Sequence, residues 1–273
     1  MLGSMLENVR KKSPLIHNIT NFVTANDCAN ILLACGASPI MADDAEEVEQ
    51  ITAACDGLVL NMGTLHRSAV DAMLLAGKKA NALGHPVVLD PVGVGASAMR
   101  TEAAGRLLRE VRFAVLRGNA SEIRALFSGG GSARGVDADA ADLVTGARLE
   151  PMAAFAKAQA KKLGAVIAVS GTVDIVADGE RAYCIRNGHP MMSSVTGTGC
   201  QLSALTAAFL AANPETPLEA AAAAFALMGY AGEIAWGRLS AQDGNAAYRN
   251  YIIDAVFRMT PEMLEKGASY EVR

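Results

Sequence analysis

The sequence predicts an α/β fold in which helices cover both faces of a mostly parallel central sheet that ends in an antiparallel edge. Short β-rich runs alternate with longer alanine-rich segments of helical spacing, an order typical of a parallel sheet wrapped by helices. The early runs are apolar throughout, as in strands that are buried on both faces. The 273 residues, 51% hydrophobic and 19% charged, exclude a disordered chain or a coiled coil.

Five early runs predict parallel strands, because each ends in a loop with Asn, Asp or Gly and is followed by a helical pattern. They read, in order, SPLIHNIT, SPIM, GLVLNMG, HPVVLDPVG and FAVLRGN. Between Gly57 and Asp90 the spacing predicts a helix over residues 66–83, with Ala69 and Met73 close to one face.

The pattern changes after Gly164, where three strand-like runs follow with almost no helix between them: AVIAVSG, TVDIVADG and RAYCIRNG. The DG and NG pairs are typical of hairpin turns, so we expect an antiparallel edge. From Gly199 onward the chain is predicted to be nearly all helix. Since no linker or repeat divides the sequence, and the glycine-rich stretch 128–135 is its one flexible patch, we predict a single domain over residues 1–273.

Charge and composition exclude several classes of partner. The 24 Lys and Arg against 28 Asp and Glu give a formal charge of −4, so neither nucleic acid nor an anionic membrane is an expected partner. The start, MLGSMLENVRKK, is too polar for a signal peptide. The apolar stretch 220–232 is too short to span a membrane and is typical of a buried helix. We therefore predict a soluble cytoplasmic protein.

The cysteines and histidines form no recognisable signature. Five cysteines are scattered and never spaced as CxxC, which favours reduced thiols in a cytosol over a zinc site or disulfides. Four of them, Cys28, Cys35, Cys55 and Cys184, are predicted to be small core residues. The four histidines are unclustered, and each is predicted to be a solvated or capping residue.

The most informative stretch is VTGTGCQLSALTAAFLAA, in which Gly197, Thr198 and Gly199 precede a long helix. Glycines permit a tight turn, and the unpaired N–H groups and dipole of a helix start attract an anion. The stretch therefore predicts an anion site; an ordinary glycine-containing turn before a core helix is the alternative. It is not a Walker A loop, because no GK[ST] follows. Cys200 lies at the helix start, where we expect its thiol pKa to fall toward neutrality.

Polar residues at strand ends mark the working face of the sheet. In open α/β sheets ligands bind beyond the carboxyl ends of the strands, where Asn61, Asp90, Arg117 and Asn119 fall. A guanidinium at the end of an apolar strand, as at Arg117, suits a phosphate. Asp90 and Glu122 together suit Mg²⁺ held through water. Asn119 with Glu122 three residues later also fits a capping box, so the sequence leaves two interpretations of Glu122 open.

Taken together, these motifs resemble one family. The fragments are SPLIHNITN, CGASPIMADDAEEV, LVLNMGTL, PVVLDPVGVGAS, LRGNASEI, GVDA, AVSGTVDIVAD and NGHPMMSSVTGTGC. They are similar to the hydroxyethylthiazole kinases of the ribokinase-like superfamily, from about residue 13 to the helix after Cys200. The resemblance implies a ribokinase-like fold. It also implies transfer of the γ-phosphoryl group of ATP, with Mg²⁺, to 4-methyl-5-(2-hydroxyethyl)thiazole in thiamine biosynthesis or salvage.

The resemblance also assigns residues by position. It gives Asn21, Met41 and Gly197 as thiazole contacts, Arg117 and Ser170 as ATP contacts, and Asp90 and Glu122 as the acidic residues near Mg²⁺ and phosphates. Cys200 stands where most ribokinase-like enzymes carry an aspartate base, and Ser170 stands where a threonine is common. The family also implies a homotrimer with active sites between subunits and no separate lid domain.

Three other functions stay open at this point. A ribokinase-like kinase for a hydroxymethylpyrimidine would usually keep an aspartate at the position of Cys200. A thiol hydrolase would use Cys200 as its nucleophile, but no histidine signature accompanies that residue. A catalytically silent metabolite-binding trimer would keep the same loops without turnover.

Overall fold

The strands form one nine-stranded sheet in a computed structural model that describes residues 1–128 and 146–273. They are β1 Leu15–Ile19, β2 Ser38–Met41, β3 Gly57–Asn61, β4 Val87–Asp90, β5 Val115–Asn119, β6 Val166–Ser170, β7 Asp174–Ala177, β8 Ala182–Ile185 and β9 Tyr270–Val272. The order across the sheet is β2-β1-β3-β4-β5-β6-β7-β8-β9. The strands from β2 to β6 in this order pair in parallel, and β7, β8 and β9 form an antiparallel edge.

Helices flank the sheet on both faces and divide the apolar core into two clusters. They are α1 Leu2–Lys12, α2 Ala25–Cys35, α3 Val48–Ala54, α4 Arg67–Leu83, α5 Ala98–Glu110, α6 Ala120–Ser128, α7 Gly146–Leu163, α8 Thr198–Ala212, α9 Pro217–Arg238, α10 Asn245–Arg258 and α11 Pro261–Gly267. One cluster packs α1, α2, α8, α9 and α10 on one face of the sheet. The other packs α4, α5, α6 and α7 on the opposite face. Val88 belongs to the first cluster and Leu89 to the second, so a strand that is apolar throughout is buried on both sides.

The predicted fold class is confirmed, with two local differences. The five early runs form β1 to β5 in parallel, and the predicted helix over 66–83 is α4, which His66 caps by accepting the N–H of Ala69. The DG pair joins β7 to β8, but the NG pair forms no hairpin and leads instead into the 3-10 helix Pro190–Ser194. Strand β8 pairs on that side with β9, a strand that the sequence pattern does not indicate. Nearly all of the glycine-rich stretch 128–135 lies outside the described residues.

The apolar helix α9 runs through the core. In the described part of the chain it is the one helix with the length and composition to cross a membrane, and 83% of its most apolar window is buried inside the fold. Such burial is typical of a core helix, as the sequence predicts for 220–232. The four cysteines predicted to be core residues are also buried, whereas Cys200 is half-buried.

Candidate active site

Polar side chains that end neighbouring strands meet at the carboxyl edge of the sheet. Asn61 at the end of β3 is paired in register with Asp90 at the end of β4. Asn119 at the end of β5 is paired in the same way with Ser170 at the end of β6. The first turns of α8 reach this edge, because Ser203 Oγ donates to Asp90 Oδ2 at 2.7 Å. The strand ends and the start of α8 therefore form one cluster.

The start of α8 has the features expected of an anion site. Its N-cap residue, Gly197, has φ of +89°, a left-handed conformation that L side chains avoid. A Cβ at this position would also lie 2.8 Å from Thr24 Cγ2, so both space and backbone require glycine. No side chain of the described residues caps the helix. Its first N–H groups and positive dipole end thus remain open to an anion.

Arg117 lies against this helix start and adds a positive charge. A Cβ on Gly199 would lie 2.7 Å from Arg117 Nη1, so glycine lets the guanidinium approach the helix backbone. Arg117 Nη2 donates to Ser170 Oγ at 2.9 Å, and Nη1 lies 3.5 Å from Asp90 Oδ2. Its Nε is buried with no partner among the described residues. The guanidinium and the amides of α8 therefore converge on one place.

Asp90 is fully buried at the centre of the cluster. Its Oδ2 accepts hydrogen bonds from Ser203 Oγ at 2.7 Å and from Asn61 Nδ2 at 2.8 Å. Its Oδ1 is buried and has no partner in the part of the chain that the structure describes. Burial raises the pKa of the Asp90 carboxyl, while Arg117 and the hydrogen-bond donors oppose that rise. An unpaired buried carboxylate oxygen is costly, and Oδ1 is therefore the oxygen of Asp90 that can still accept a further partner.

The thiol of Cys200 is held by two side-chain amides. Asn21 Nδ2 and Asn61 Nδ2 each donate to Cys200 Sγ at 3.3 Å. The two amides are also joined, since Asn21 Nδ2 donates to Asn61 Oδ1 at 3.0 Å. The N–H of Gly63 donates to the same oxygen at 2.9 Å, so the orientation of both amides is fixed before any ligand binds.

The expected fall in the thiol pKa of Cys200 is wrong. Burial is the largest influence and raises this pKa, and the nearby charge of Asp90 raises it further. The hydrogen bonds from neighbouring side chains and the charge of Arg117 do not reverse the shift. Since the ordinary thiol pKa already lies above neutrality, Cys200 is a protonated thiol at neutral pH. A thiolate nucleophile at this position is therefore disfavoured.

Glu122 forms the capping box that was one of its two interpretations. Its Oε2 accepts the N–H of Asn119 at 2.9 Å, and its own N–H donates to Asn119 Oδ1 at 2.8 Å. Its Oε1 accepts the N–H of Gly93 at 2.9 Å, in the loop that follows Asp90. Burial raises the pKa of the Glu122 carboxyl, and the charge of Asp90 adds to the shift. Glu122 thus ties α6 to the Asp90 loop.

A larger cavity, of about 660 Å³, adjoins the anion site. Arg117, Ser170 and Gly199 contribute polar groups to its lining. Leu202 and Phe225, among others, contribute an apolar wall. The cavity therefore combines donors suited to phosphate with a surface suited to a flat apolar group.

A smaller cavity, of about 170 Å³, lies beside the amide pair. Asn21 and Asn61 line it together with Met41, which ends β2 and is 37% exposed. Cys200 adjoins residues of both cavities, because these amides contact its thiol and the preceding Thr198 and Gly199 line the larger cavity. The structure thus brings these predicted residues together: Asn21, Met41, Asp90, Arg117, Ser170 and the stretch from Gly197 through Cys200.

A third cavity, of about 580 Å³, lies at the opposite, amino edge of the sheet. It is lined by residues such as Val87, Ala114 and Val166, at or beside the starts of β4, β5 and β6. None of the predicted site residues lines it. This cavity therefore lies apart from the cluster at the carboxyl edge.

Two polar residues of the cluster received no role from the sequence. Asn61 was placed at the strand edge, but nothing indicated that it would hold both Asp90 and Cys200. Ser203 follows Cys200 by three residues, and this spacing places both on one face of a helix. A search for polar residues one turn after the glycine loop would have found Ser203.

The matches to known proteins agree with this geometry. The model of the hydroxyethylthiazole kinase family matches residues 6–262. The chain belongs to this family. A hydroxyethylthiazole kinase of Clostridium acetobutylicum is 58% identical over 271 residues, which are 99% of each chain. One of Ruminiclostridium cellulolyticum is 48% identical over 264 residues, covering 97% of this chain and 94% of the relative.

Solved structures extend the likeness from sequence to fold. The hydroxyethylthiazole kinase protein from Pyrococcus horikoshii OT3 matches with a TM-score of 0.88 at 36% identity, covering 100% of this chain and 98% of that one. Pyridoxal kinase from Staphylococcus aureus, solved with AMP-PCP and pyridoxal, matches with a TM-score of 0.60 at 17% identity, covering 95% and 98%. A ribokinase-like superfamily protein from Enterococcus faecalis matches with a TM-score of 0.59 at 14% identity, covering 96% of this chain and 89% of that one. The last two show the fold alone, and it is the predicted ribokinase-like fold. Membership of the hydroxyethylthiazole kinase family disfavours a pyrimidine kinase and a thiol hydrolase.

Proposed function

We propose that this chain transfers the γ-phosphoryl group of ATP to the hydroxyl of 4-methyl-5-(2-hydroxyethyl)thiazole, in thiamine biosynthesis or salvage in the cytoplasm. The observation that carries the proposal is the convergence of Arg117 and the uncapped start of α8 at the larger cavity, next to the amide pair that lines the smaller one. Phosphoryl transfer needs chiefly positioning and charge stabilisation, and these groups supply both. The family supplies the identity of the acceptor. We further propose that residues 1–273 act as one kinase domain.

The larger cavity is the proposed ATP site. Arg117 and Ser170 contact the phosphates. The backbone amides of Thr198 and Gly199 stabilise the negative charge that develops on the transferred phosphoryl group. Ser170 orients Arg117 beforehand, because its hydroxyl accepts from Nη2 and donates to the carbonyl of Gly118 at 3.4 Å. Fixed donors of this kind need little rearrangement during transfer.

The smaller cavity is the proposed thiazole site. Asn21 and Met41 line it, and we assign Gly197, at the anion site, as a further contact to the thiazole. The acceptor hydroxyl then lies next to Cys200. Because that thiol stays protonated, we assign it the orientation of the hydroxyl rather than the removal of its proton. A loose, metaphosphate-like transition state does not require the proton to leave early.

Asp90 fits a magnesium ion better than Glu122 does. Oδ1 of Asp90 is buried without a partner in the described structure, whereas both oxygens of Glu122 already accept backbone N–H groups. No group of three or more metal-ligating side chains occurs in the described ranges, so water and substrate phosphates would complete the coordination of the ion. Mg²⁺, when bound with ATP, would neutralise charge on the phosphate oxygens. Asp90 would hold it, and Glu122 would keep the Asp90 loop in place.

The experiment that tests this function measures ATP consumption by the purified protein with a panel of alcohols. We expect turnover with the thiazole alcohol and only background rates with hydroxymethylpyrimidine and simple primary alcohols. Faster turnover of the pyrimidine, ester hydrolysis without ATP, or binding of the thiazole without turnover would each contradict the proposal. These outcomes correspond to the pyrimidine kinase, the thiol hydrolase and the silent binding protein.

Substitutions at Cys200 test its orienting role. We expect Cys200→Ser to stay within about tenfold of wild-type kcat, since serine puts a hydroxyl, which can make the same kind of hydrogen bond, in the place of the thiol. Cys200→Asp should equal or exceed wild type, because a carboxylate accepts the hydroxyl proton directly and the amides of Asn21 and Asn61 already point to that position. Steady-state kinetics measures both.

A covalent phosphoryl-thiol intermediate predicts the reverse pattern. In that case Cys200→Ser would be nearly inactive, and intact-mass spectrometry of wild type after ATP alone would show an adduct. Inactivity of both variants, with circular dichroism unchanged, would also contradict the orienting role.

We also propose that the enzyme is a homotrimer with active sites shared between subunits. Phe22 and Val23 follow Asn21 directly, yet are 79% and 56% exposed, and Met41 at the smaller cavity is 37% exposed. Apolar exposure at the rim of a substrate site is what a neighbouring subunit would cover. Such a cover would also exclude water from the phosphate.

Sedimentation at micromolar concentration is expected to give about three chains per particle. Phe22→Asp should weaken the assembly and raise KM for the thiazole. Leu83→Asp, a matched exposed apolar residue at the end of α4, should change neither. A fully active monomer would refute the shared site.

A further inference from the structure

His189 and Trp236 form a stacked pair beside the larger cavity, and the proposed transfer assigns neither a role. Their ring centroids are 4.0 Å apart and their planes differ by 18°. His189 lines the cavity and caps the 3-10 helix Pro190–Ser194. Trp236 lies in the last turn of α9 and is the only tryptophan of the chain.

The cap that His189 makes determines which ring nitrogen carries the proton. Nδ1 accepts the N–H of Met191 at 3.1 Å, so the neutral imidazole carries its proton on Nε2. Within the described residues Nε2 has no hydrogen-bond partner, while one face of the ring is held by Trp236. The ring thus presents an oriented donor without an acceptor.

The rest of the cavity indicates which ligand would supply that acceptor. The donors already described, Arg117 and Ser170, suit phosphate oxygens. The apolar wall consists of Met192, Leu202, Phe225 and Met228. A nucleotide matches both parts, because its base has apolar faces and ring nitrogens that accept hydrogen bonds at its edge. His189 is placed among the wall residues by the 3-10 helix that also carries Met192.

We propose that His189 recognises the base of the nucleotide, with Nε2–H donating to a ring nitrogen of adenine. Trp236 is then a positioning residue that holds the imidazole in this orientation. The inference rests on the proposed function, because it takes the larger cavity as the ATP site. It goes beyond that function in assigning base recognition to a residue that the sequence marked only as a solvated or capping histidine.

Two variants separate base recognition from capping. Asparagine places an oxygen near the position of Nδ1, so His189→Asn keeps the cap and loses the Nε2 donor. Glutamine places an amide N–H near the position of Nε2, so His189→Gln keeps the donor and loses the cap. We expect His189→Asn to raise KM for ATP about 5–10-fold, the loss of one hydrogen bond. KM for the thiazole should be unchanged and kcat within about threefold. His189→Gln should stay within about threefold of wild type in all three.

Tryptophan fluorescence supplies a readout that does not depend on turnover. Titration with ATP should change the emission of Trp236 in wild type, and His189→Asn should need about 5–10-fold more ATP for half the change. Inorganic tripolyphosphate, which has no base, is then used to displace ATP from each protein. After correction for the different ATP affinities, its dissociation constant should be the same for wild type and His189→Asn.

Failure of base recognition by His189 can be told apart from failure of the proposed kinase function. If His189→Gln is impaired and His189→Asn is not, the histidine is only a cap and the inference fails. Equal weakening of ATP and tripolyphosphate in His189→Asn would also overturn it, because the loss would then lie outside the base. If wild type itself neither binds nor consumes ATP, the proposed function fails first.

Discussion

Arg117→Ala is expected to lower kcat/KM for ATP about 10²–10⁴-fold, the range found when a fixed electrostatic group is removed from a developing charge. The guanidinium contributes charge-assisted hydrogen bonds to phosphate that alanine cannot replace. KM for the thiazole should change little, because Arg117 lines the larger cavity and not the smaller one. Steady-state kinetics with each substrate varied in turn measures the split.

Two controls separate this effect from damage to the fold. Arg109→Ala removes an exposed arginine from the last turn of α5 and should leave both KM values and kcat unchanged. Methylguanidinium added to Arg117→Ala should restore part of the activity, since the vacated space lies directly beside Gly199. Calorimetry showing wild-type nucleotide affinity, together with normal turnover, would contradict the role assigned to Arg117.

The fold could be predicted from sequence because its determinants are local. Apolar runs that end in Asn, Asp or Gly indicate both a buried strand and the edge at which it ends. Strand β9 was missed because its three residues, Tyr270–Val272, are too few to show a periodic pattern. The NG pair was misassigned because its hairpin signal depends on a following strand, and a helix-capping His189 follows instead.

The structure brings the predicted site residues together, but the sequence did not indicate the electrostatics of that cluster. Arg117 and the glycine loop each indicated an anion from sequence, yet only the fold shows that Gly199 brings them into contact. The pKa of Cys200 was predicted in the wrong direction because a helix start is visible in sequence, whereas burial and the distance to Asp90 are tertiary properties. The sequence left open whether Glu122 is a capping residue or a residue near Mg²⁺. Its capping partner Asn119 is only three residues away, whereas the N–H of Gly93, which its other oxygen accepts, is distant in sequence and is brought close only by the fold.

Asp90→Asn is expected to lower kcat/KM about 10²–10³-fold, as removal of a charge-stabilising group does, and to raise the Mg²⁺ concentration needed for half-maximal rate. Asparagine keeps the shape of the side chain but removes the charge that would hold the ion through Oδ1. Ser203→Ala removes a hydrogen bond to Oδ2 and keeps that charge. It should therefore cost less than about tenfold. Rates measured over a magnesium series test both variants.

Asp90→Asn should not destabilise the protein at neutral pH. Burial outweighs Arg117 and the other donors, so the pKa of Asp90 is higher in the folded state than in the unfolded one. A carboxyl raised in this way costs stability once pH exceeds its unfolded value of about 3.9. Asp90→Asn should then melt at or above the wild-type temperature at pH 7, and its advantage should shrink as pH falls toward 4. A residue whose loss lowers kcat/KM this far without destabilising the fold is kept for chemistry. A lower melting temperature at pH 7 with unchanged magnesium dependence would instead make Asp90 a structural residue.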